Sequence, residues 1–266
     1  MKRLVSITLA FIILISSATC LADTSLDNCV SSFTIKEILA NLIPPKPSVN
    51  FAKVIVPETN ENPLLAVQYI DGVVTGITTV DISSSTTAED VKLPYKKTPD
   101  EIRFFIWDNN NLKPLYKSVD ALTPEVIETA NKSVVNELEL LKKNIDYLLR
   151  NYISGKEFRA IFATIDACAT QALSLKDKHL LTSEYAIRIN EKALADLKVD
   201  LKAVPKNQKE KTANNLREGF QKDEEENQKL KDIGTRITRV ATFLNISDIL
   251  KELLEELLPS QNAKRM

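Results

Sequence analysis

The sequence predicts an α+β protein of two domains, in which a small antiparallel β-sandwich is followed by an antiparallel bundle of long α-helices. Three observations predict this class. Eight of the 11 prolines lie before residue 120, β-branched and aromatic residues crowd residues 51–116, and Leu, Ala, Lys and Glu dominate from residue 123 onward. Because the former residues favour strands and the latter favour helices, two domains of different class explain this change better than one mixed core.

The overall composition is that of a globular protein and excludes several functional classes. The 266 residues are 44% hydrophobic and 27% charged, with 5 glycines, 3 cysteines and 1 histidine, which excludes a collagen-like, disulfide-dense or wholly disordered chain. The formal net charge of -1 provides no positive field for a nucleic acid. A single histidine also excludes most histidine-based metal sites and catalytic triads. We therefore expect no nucleic-acid partner and no cofactor.

Residues 1–22 are predicted to be a secretory signal peptide. A basic start, Lys2-Arg3, precedes the apolar run Leu4–Ile15 and then small residues that end at Ala22, which is the layout of a cleaved export signal. We therefore expect a secreted, periplasmic or cell-surface protein that is not held in a membrane after cleavage. Lipidation of Cys20 is an alternative, although the residues before it form a poor lipobox.

Residues 23–50 are predicted to be a leader that precedes the first domain. A short amphipathic helix is expected over Thr34–Leu42. Prolines over 44–47 then predict a stiff, extended linker.

Residues 51–118 are predicted to form the β-sandwich module. Asp71-Gly72 marks a tight hairpin, because such a turn needs positive φ angles. Residues 83–90 are predicted to be a polar loop. The predicted strands are Phe51–Val56, Leu64–Ile70, Val73–Ile82, Val91–Tyr95, Ile102–Trp107 and Lys113–Lys117. Several short strands with turn signals between them indicate a small antiparallel sandwich.

Two motifs in this segment resemble a known module. The hairpin 67–74 reads Val-Gln-Tyr-Ile-Asp-Gly-Val-Val, and the aromatic strand 103–108 ends in Trp-Asp and is followed by Leu112-Lys113-Pro114-Leu115. On these residues, segment 51–118 resembles a fibronectin type III-like or immunoglobulin-like accessory module of clostridial secreted and cell-surface proteins. The resemblance implies a sandwich with a structural or adhesive role and no catalytic residues. It does not extend to the second half of the chain.

Residues 119–266 are predicted to be the helical bundle. Thr123-Pro124-Glu125 is a start signal, because a hydroxyl caps the helix, proline suits the first helical position and an acid faces the helix dipole. Apolar residues then recur with 3- and 4-residue spacing in four predicted helices. These stripes span Val134–Tyr152, Phe158–Ala169, Ile187–Val204 and Ala213–Leu244. A last short helix after Ser247-Asp248 is expected to carry a leucine face made by Leu253, Leu254, Leu257 and Leu258.

Few residues of the chain could carry chemistry. His179 is predicted to be a solvated surface residue, because no nucleophile or orienting acid lies near it in sequence. Cys29 and Cys168 either form a disulfide, which an export compartment permits, or stay separate thiols. The acidic run 223–226 is predicted to be solvated, where the fourth helix bends or is poorly buried, and Trp107 is predicted to be core. We therefore predict no catalytic, cofactor-binding or metal-binding residue.

Short motifs add little to this prediction. The sequence contains no nucleophile-elbow, P-loop or dinucleotide-binding motif. Asn131-Lys132-Ser133 and Asn245-Ile246-Ser247 match the N-glycosylation acceptor. In the bacterial host that the module implies, these two matches are interpreted as accidental.

The predicted function is that of an exported, non-catalytic structural or interaction protein whose helical bundle binds a protein partner or self-associates. After residue 120 the chain has 24 Lys and Arg against 23 Asp and Glu, so a docking field of one sign is not expected. The contact is expected at a helix groove or at the leucine face of the last helix, unless that helix only closes the bundle. Two alternatives are a secreted hydrolase with an unrecognised carboxylate site and a membrane-active helical protein.

Overall fold

The computed structural model describes residues 30–35, 48–56, 62–82, 87–108, 110, 113–116 and 118–247. Over these residues antiparallel strands precede helices, which confirms the mixed class predicted from the sequence. The chain divides into two compact units, and the described residues of the first end at Ala130 while those of the second begin at Asn131. We call them the β unit and the helical unit.

The β unit has eight strands among its described residues, arranged in two antiparallel sheets. The strands are β1 Val30–Ile35, β2 Ser48–Ile55, β3 Leu64–Ile70, β4 Val73–Val80, β5 Thr87–Pro94, β6 Glu101–Asp108, β7 Lys113–Pro114 and β8 Val119–Asp120. One sheet has the strand order β1-β2-β5. The other has the order β4-β3-β6-β7, with β8 also paired to β6.

Strands β3 and β4 form the hairpin that the sequence predicts. Its turn residues Asp71 and Gly72 have φ angles of 51° and 74°, which is the positive-φ pair that a two-residue hairpin turn requires. The register then shifts by one residue, so that Thr75 forms a β-bulge whose Oγ1 donates to the backbone oxygen of Gln68 at 3.3 Å.

The two sheets contact each other through buried side chains. Phe51 of β2 and Phe104 of β6 meet edge to face, with ring centroids 5.2 Å apart, a favoured aromatic geometry. Gln68 of β3 is buried as well, and its Nε2 donates to the backbone oxygen of Pro94 in β5 at 3.1 Å. Trp107 is 1% exposed, as its predicted core position requires.

Two predictions for this half of the chain are wrong. Thr34 and Ile35, which the sequence predicts to lie in a helix, lie in β1, and β1 pairs with β2. Part of the predicted leader therefore belongs to a sheet, while residues 36–47 lie outside the described residues. β5 begins at Thr87, inside the predicted polar loop 83–90. Pairing with β2 places these polar residues in a strand, although their local sequence carries no strand signal.

Six helices occupy the described residues after the strands. They are α1 Pro124–Asn151, α2 Lys156–Leu173, α3 Ser183–Ile189, α4 Glu191–Ala203, α5 Lys206–Lys222 and α6 Glu224–Phe243. Thr123 caps α1 as predicted, since its Oγ1 accepts a hydrogen bond from the backbone N–H of Val126 at 3.4 Å. The predicted stripes on α1 and α2 are buried, except that Tyr152 at the end of the first stripe is half-buried. The buried members are Val134, Leu138, Leu141, Ile145 and Leu148, and Phe158, Ile161, Phe162, Ile165 and Ala169.

The third predicted helix is broken into α3 and α4. Asn190 lies at the break and is buried. Its Nδ2 donates to the backbone oxygens of Ala186 at 2.9 Å and Cys168 at 3.3 Å. The apolar spacing continues through Asn190, so periodicity alone predicts one continuous helix. The helix breaks because the Asn190 side-chain amide bonds to two backbone carbonyls, which competes with helical hydrogen bonding.

The fourth predicted helix is broken into α5 and α6. Asp223 separates them with extended backbone angles, φ -159° and ψ 170°, and its Oδ1 accepts a hydrogen bond from the backbone N–H of Glu226 at 2.7 Å. This is an N-cap interaction, which begins a new helix. The sequence predicts only a bend or poor burial at this place.

Ion pairs join α1 to its neighbours within the helical unit. Glu137 of α1 pairs with Arg236 of α6 at 3.1 Å, and Lys142 of α1 pairs with Asp166 of α2 at 2.9 Å. Both pairs are partly screened from solvent. They link α1 to the two helices that pack with it around one apolar core.

Several predictions fall outside the described residues. These are the signal peptide, Cys20, Cys29 and the last helix with its leucine face. Among the described helices, none combines the length and apolar character needed to cross a membrane.

Candidate functional site

Two tyrosines and a glutamate meet where α1 ends and α6 begins. The hydroxyl groups of Tyr147 and Tyr152 both donate to Oε1 of Glu226, and the Tyr152 distance is 2.6 Å. Lys229, one helical turn after Glu226, places its Nζ 3.4 Å from the ring centroid of Tyr147, a cation–π contact. We call Tyr147, Tyr152, Glu226 and Lys229 the tyrosine cluster.

The break between α5 and α6 explains the position of Glu226. Asp223 caps α6, and Glu226 lies three residues later, as in a capping box. In a capping box the acid turns back toward the backbone of the cap residue. Here its carboxylate instead accepts the two phenolic hydroxyls, so the start of α6 is tied to the end of α1.

The electrostatics of the cluster keep the Glu226 carboxyl ionised. Burial alone would raise its pKa, but hydrogen bonds from Tyr147 and Tyr152 and the positive charges of Lys229 and Lys222 together hold the pKa below its ordinary value. The pKa of the Tyr152 hydroxyl is raised by burial and by its hydrogen bond to Glu226. The cluster is therefore an ionised acceptor with two neutral donors.

Tyr152 is held from three sides. Its hydroxyl binds Glu226, and its backbone oxygen accepts a hydrogen bond from Nδ2 of Asn215 at 2.9 Å. A Cβ added to Gly219 would lie 2.5 Å from Cε1 of the Tyr152 ring, so only glycine at this position lets α5 approach the ring so closely. These contacts fix the orientation of the aromatic ring.

An open cleft lies beside the tyrosine cluster. It has a volume of about 520 Å³ and is lined by Asn151, Tyr152, Asn215, Glu218, Gly219, Gln221 and Lys222. We call it the polar cleft. Among these described residues are one aromatic residue, three carboxamides, one acid (Glu218) and one base (Lys222). The two formal charges therefore cancel.

A second opening follows the other end of α5. It has a volume of about 700 Å³ and is lined by Val204, Lys206, Lys209, Glu210, Ala213, Asn214 and Arg217. We call it the α5 groove. Three cations, one acid and two small apolar side chains form its described lining.

The structure places His179 in a structural role rather than on a fully solvated surface. It is half-buried and stacks on Tyr185, with ring centroids 5.0 Å apart. Its backbone oxygen accepts a hydrogen bond from Nδ2 of Asn131 at 2.8 Å. The prediction of full solvation is therefore wrong, because the loop that carries His179 folds back on α1.

Cys168 is a free thiol that is 1% exposed in the core of the helical unit. Burial raises its pKa, which keeps the thiol protonated and unreactive. The alternatives for Cys168 are a disulfide and a separate thiol, and the structure shows the separate, buried thiol.

The acidic run divides into exposed and buried members. Residues 223–225 are exposed, as predicted, whereas Glu226 is 9% exposed and holds the tyrosine cluster. The prediction of a solvated run is therefore wrong for Glu226. No group of carboxylates, cysteines and histidine suited to a metal ion occurs among the residues that the structure describes.

The two glycosylation matches have different environments. Asn131 is 1% exposed, and its side chain binds the backbone of Lys176, His179 and Leu181, so a glycan would have no access to it. Asn245 is exposed with a positive φ of 54° at the end of α6.

Sequence reasoning missed the tyrosine cluster. The spacing Asp223-x-x-Glu226 is a helix-start signal that the sequence contains, but the apolar period across it favours a continuous helix. The partnership of Glu226 with Tyr147 and Tyr152 joins residues more than 70 positions apart, and local patterns carry no information about it.

Comparisons with known proteins found no relative. No protein-family model matches this chain, and neither the curated proteins nor the solved structures include a significant match.

Proposed function

We propose that this chain is an exported, non-catalytic binding protein whose helical unit contacts a protein partner or a second copy of the chain. The observation that carries the proposal is the exposure of α5. Of its 17 residues only Thr212, Leu216 and Gly219 are buried, and the helix lines both the α5 groove and the polar cleft. A helix held by so few buried residues, yet flanked by two openings, suits a contact surface.

The chemistry of the α5 groove supports a protein contact. Ala213 and Val204 provide apolar surface, while Lys206, Arg217 and Glu210 provide charges of both signs around it. Protein interfaces combine an apolar centre with a polar rim in this way.

The shifted titratable groups of the helical unit support a non-catalytic role. Burial raises the pKa of the Tyr152 and Cys168 side chains, and hydrogen bonds lower the pKa of Glu157 and Glu226. Each of these four pKa values moves away from neutrality. A carboxyl, phenol or thiol that acts as a general acid or base at neutral pH needs a shift in the opposite direction.

The strand order supports a β-sandwich module in the first half. Sheets ordered β1-β2-β5 and β4-β3-β6-β7 correspond to strands A-B-E and C′-C-F-G of an immunoglobulin-like sandwich. The Trp-Asp and Lys-Pro motifs lie opposite each other, with Trp107 paired to Pro114. We propose that this unit is an accessory sandwich joined to a helical bundle, and that the helical bundle determines the partner.

The experiment combines light scattering with chemical cross-linking of the exported chain. We expect either a concentration-dependent dimer or capture of one envelope or host-surface protein, with cross-links at Lys206 or Lys209. Lys206→Glu should reduce the contact, whereas Lys231→Glu, an exposed lysine on α6, should leave it unchanged. A monomer that captures no protein, or cross-links confined to the β unit, would contradict the proposal.

A further inference from the structure

We infer that the polar cleft is a binding site for an uncharged saccharide. This inference rests on the polar cleft alone, whereas the experiment proposed above tests the protein contact at the α5 groove. Its basis is the combination of a fixed aromatic ring, oriented carboxamides and cancelling charges around one opening.

Tyr152, the one aromatic residue among the described residues that line the cleft, is held in place before any ligand binds. The Tyr152 ring is held by Glu226 at its hydroxyl, by Asn215 at its backbone and by the close approach of Gly219. A side chain that is already fixed loses little conformational entropy when a ligand binds. The C–H face of a sugar ring is apolar, and a fixed aromatic side chain supplies a matching surface.

The carboxamides of the cleft are oriented with their oxygens available. Nδ2 of Asn151 donates to the backbone oxygen of Tyr147 at 2.8 Å, and Nδ2 of Asn215 donates to that of Tyr152. Among the described residues, none donates a hydrogen bond to either Oδ1. With the carboxylate of Glu218, these oxygens form a set of acceptors for a ligand rich in hydroxyl donors.

The charges of the cleft select a neutral ligand. Glu218 and Lys222 contribute one charge of each sign to the described lining, so neither an anion nor a cation meets a field of one sign. Gln221 adds a further donor and acceptor. The volume of about 520 Å³ lies within the range of about 300–1,000 Å³ that is usual for ligand clefts.

The test is a titration of the ¹⁵N-labelled exported chain with chitotetraose, maltotetraose and inorganic phosphate, followed by amide chemical shifts and calorimetry. We expect one of the two sugars to shift amide signals of residues that line the cleft. Gln221→Ala and Glu218→Gln should each weaken binding about fivefold, the loss of one hydrogen bond. Gln228→Ala and Glu224→Gln are matched controls, because both residues are exposed and lie outside the cleft lining.

Three outcomes would overturn the inference. The first is no shift with either sugar at about 10 mM, where even weak sites are occupied. The second is sugar binding that the cleft variants leave unchanged. The third is a response of the same amides to phosphate instead of sugar. Because the capture experiment uses protein partners and variants of the α5 groove, failure here leaves the proposed protein contact standing, and the reverse also holds.

Discussion

At the residue scale, the burial of Glu226 depends on its two phenolic donors. A carboxylate is costly to bury unless its oxygens accept hydrogen bonds, and Tyr147 and Tyr152 both bond to the same oxygen. Lys229 contributes a nearby positive charge over the Tyr147 ring. The same contacts that stabilise the carboxylate also orient Tyr152 at the wall of the polar cleft.

Glu226→Gln is expected to destabilise the protein by about 1–2 kcal/mol, because a neutral amide oxygen accepts weaker hydrogen bonds than a carboxylate. Urea unfolding of both proteins measures the difference. Glu225→Gln is the matched control, since Glu225 is exposed in the same helical turn, and it should change stability by less than about 0.5 kcal/mol. Equal effects of the two substitutions on the free energy of unfolding would show that the tyrosine cluster does not stabilise the fold.

The pH dependence of stability follows from the same residue. The folded protein holds the pKa of Glu226 below its ordinary value of 4.5, so this carboxyl stabilises the fold above that pH. The stabilisation is lost as the pH falls through the lowered pKa of the folded state. Urea unfolding between pH 7 and pH 3 should therefore show the gap between wild type and Glu226→Gln closing in acid. A constant gap would contradict the assignment.

Asn131→Ala is expected to cost about 2–4 kcal/mol in the free energy of unfolding. Its side chain makes three hydrogen bonds to the backbone of residues 176–181, at 2.7 to 2.8 Å, and the variant leaves those backbone groups without partners in a buried place. Asn214→Ala, at an exposed position of α5, is the control and should be nearly neutral. Thermal unfolding monitored by circular dichroism distinguishes the two variants.

At the element scale, local hydrogen bonds mark where α6 begins and ends. Asp223 begins α6 through a hydrogen bond from the backbone N–H of Glu226, and α6 ends with Asn245 at a positive φ, where the backbone N–H of Ile246 donates to the oxygen of Ala241 at 2.8 Å. The latter is a Schellman motif. The Asp223 cap overrides an apolar spacing that continues across it.

Asp223→Ala is expected to destabilise the protein by about 1 kcal/mol, because it removes the N-cap acceptor of α6. Asp223→Asn keeps an acceptor at the same place and should recover most of the loss. Urea unfolding measures both variants. If alanine and asparagine behave alike, the break between α5 and α6 does not depend on this cap.

The same scale shows which parts of the fold the sequence predicts. The Asp71-Gly72 hairpin and the Thr123-Pro124 helix start are predictable, because each depends on the conformational preferences of adjacent residues. The breaks at Asn190 and Asp223 are not, because the hydrophobic period continues across both positions. β1 is also missed, since a strand at the edge of a sheet depends on its pairing with β2 more than on its own sequence.

At the scale of the whole molecule, the two halves are proposed to have different tasks. The strand order of the β unit is that of an immunoglobulin-like sandwich, and we propose that this unit is an accessory module that does not determine the partner. The helical unit carries α5, both openings and the tyrosine cluster. We therefore propose that recognition belongs to the helical unit. Its candidate site could not be predicted, because it joins α1, α5 and α6 through contacts between distant residues.

We propose that this chain works by binding through its helical unit. Hydrogen–deuterium exchange of the full chain, measured alone and with the captured partner or at dimer-forming concentration, tests this proposal most directly. We predict slower exchange in α5 and in the segments beside it, with the backbone of β2, β3 and β6 unchanged. Slower exchange confined to the β unit, or no change in either unit, would contradict the account.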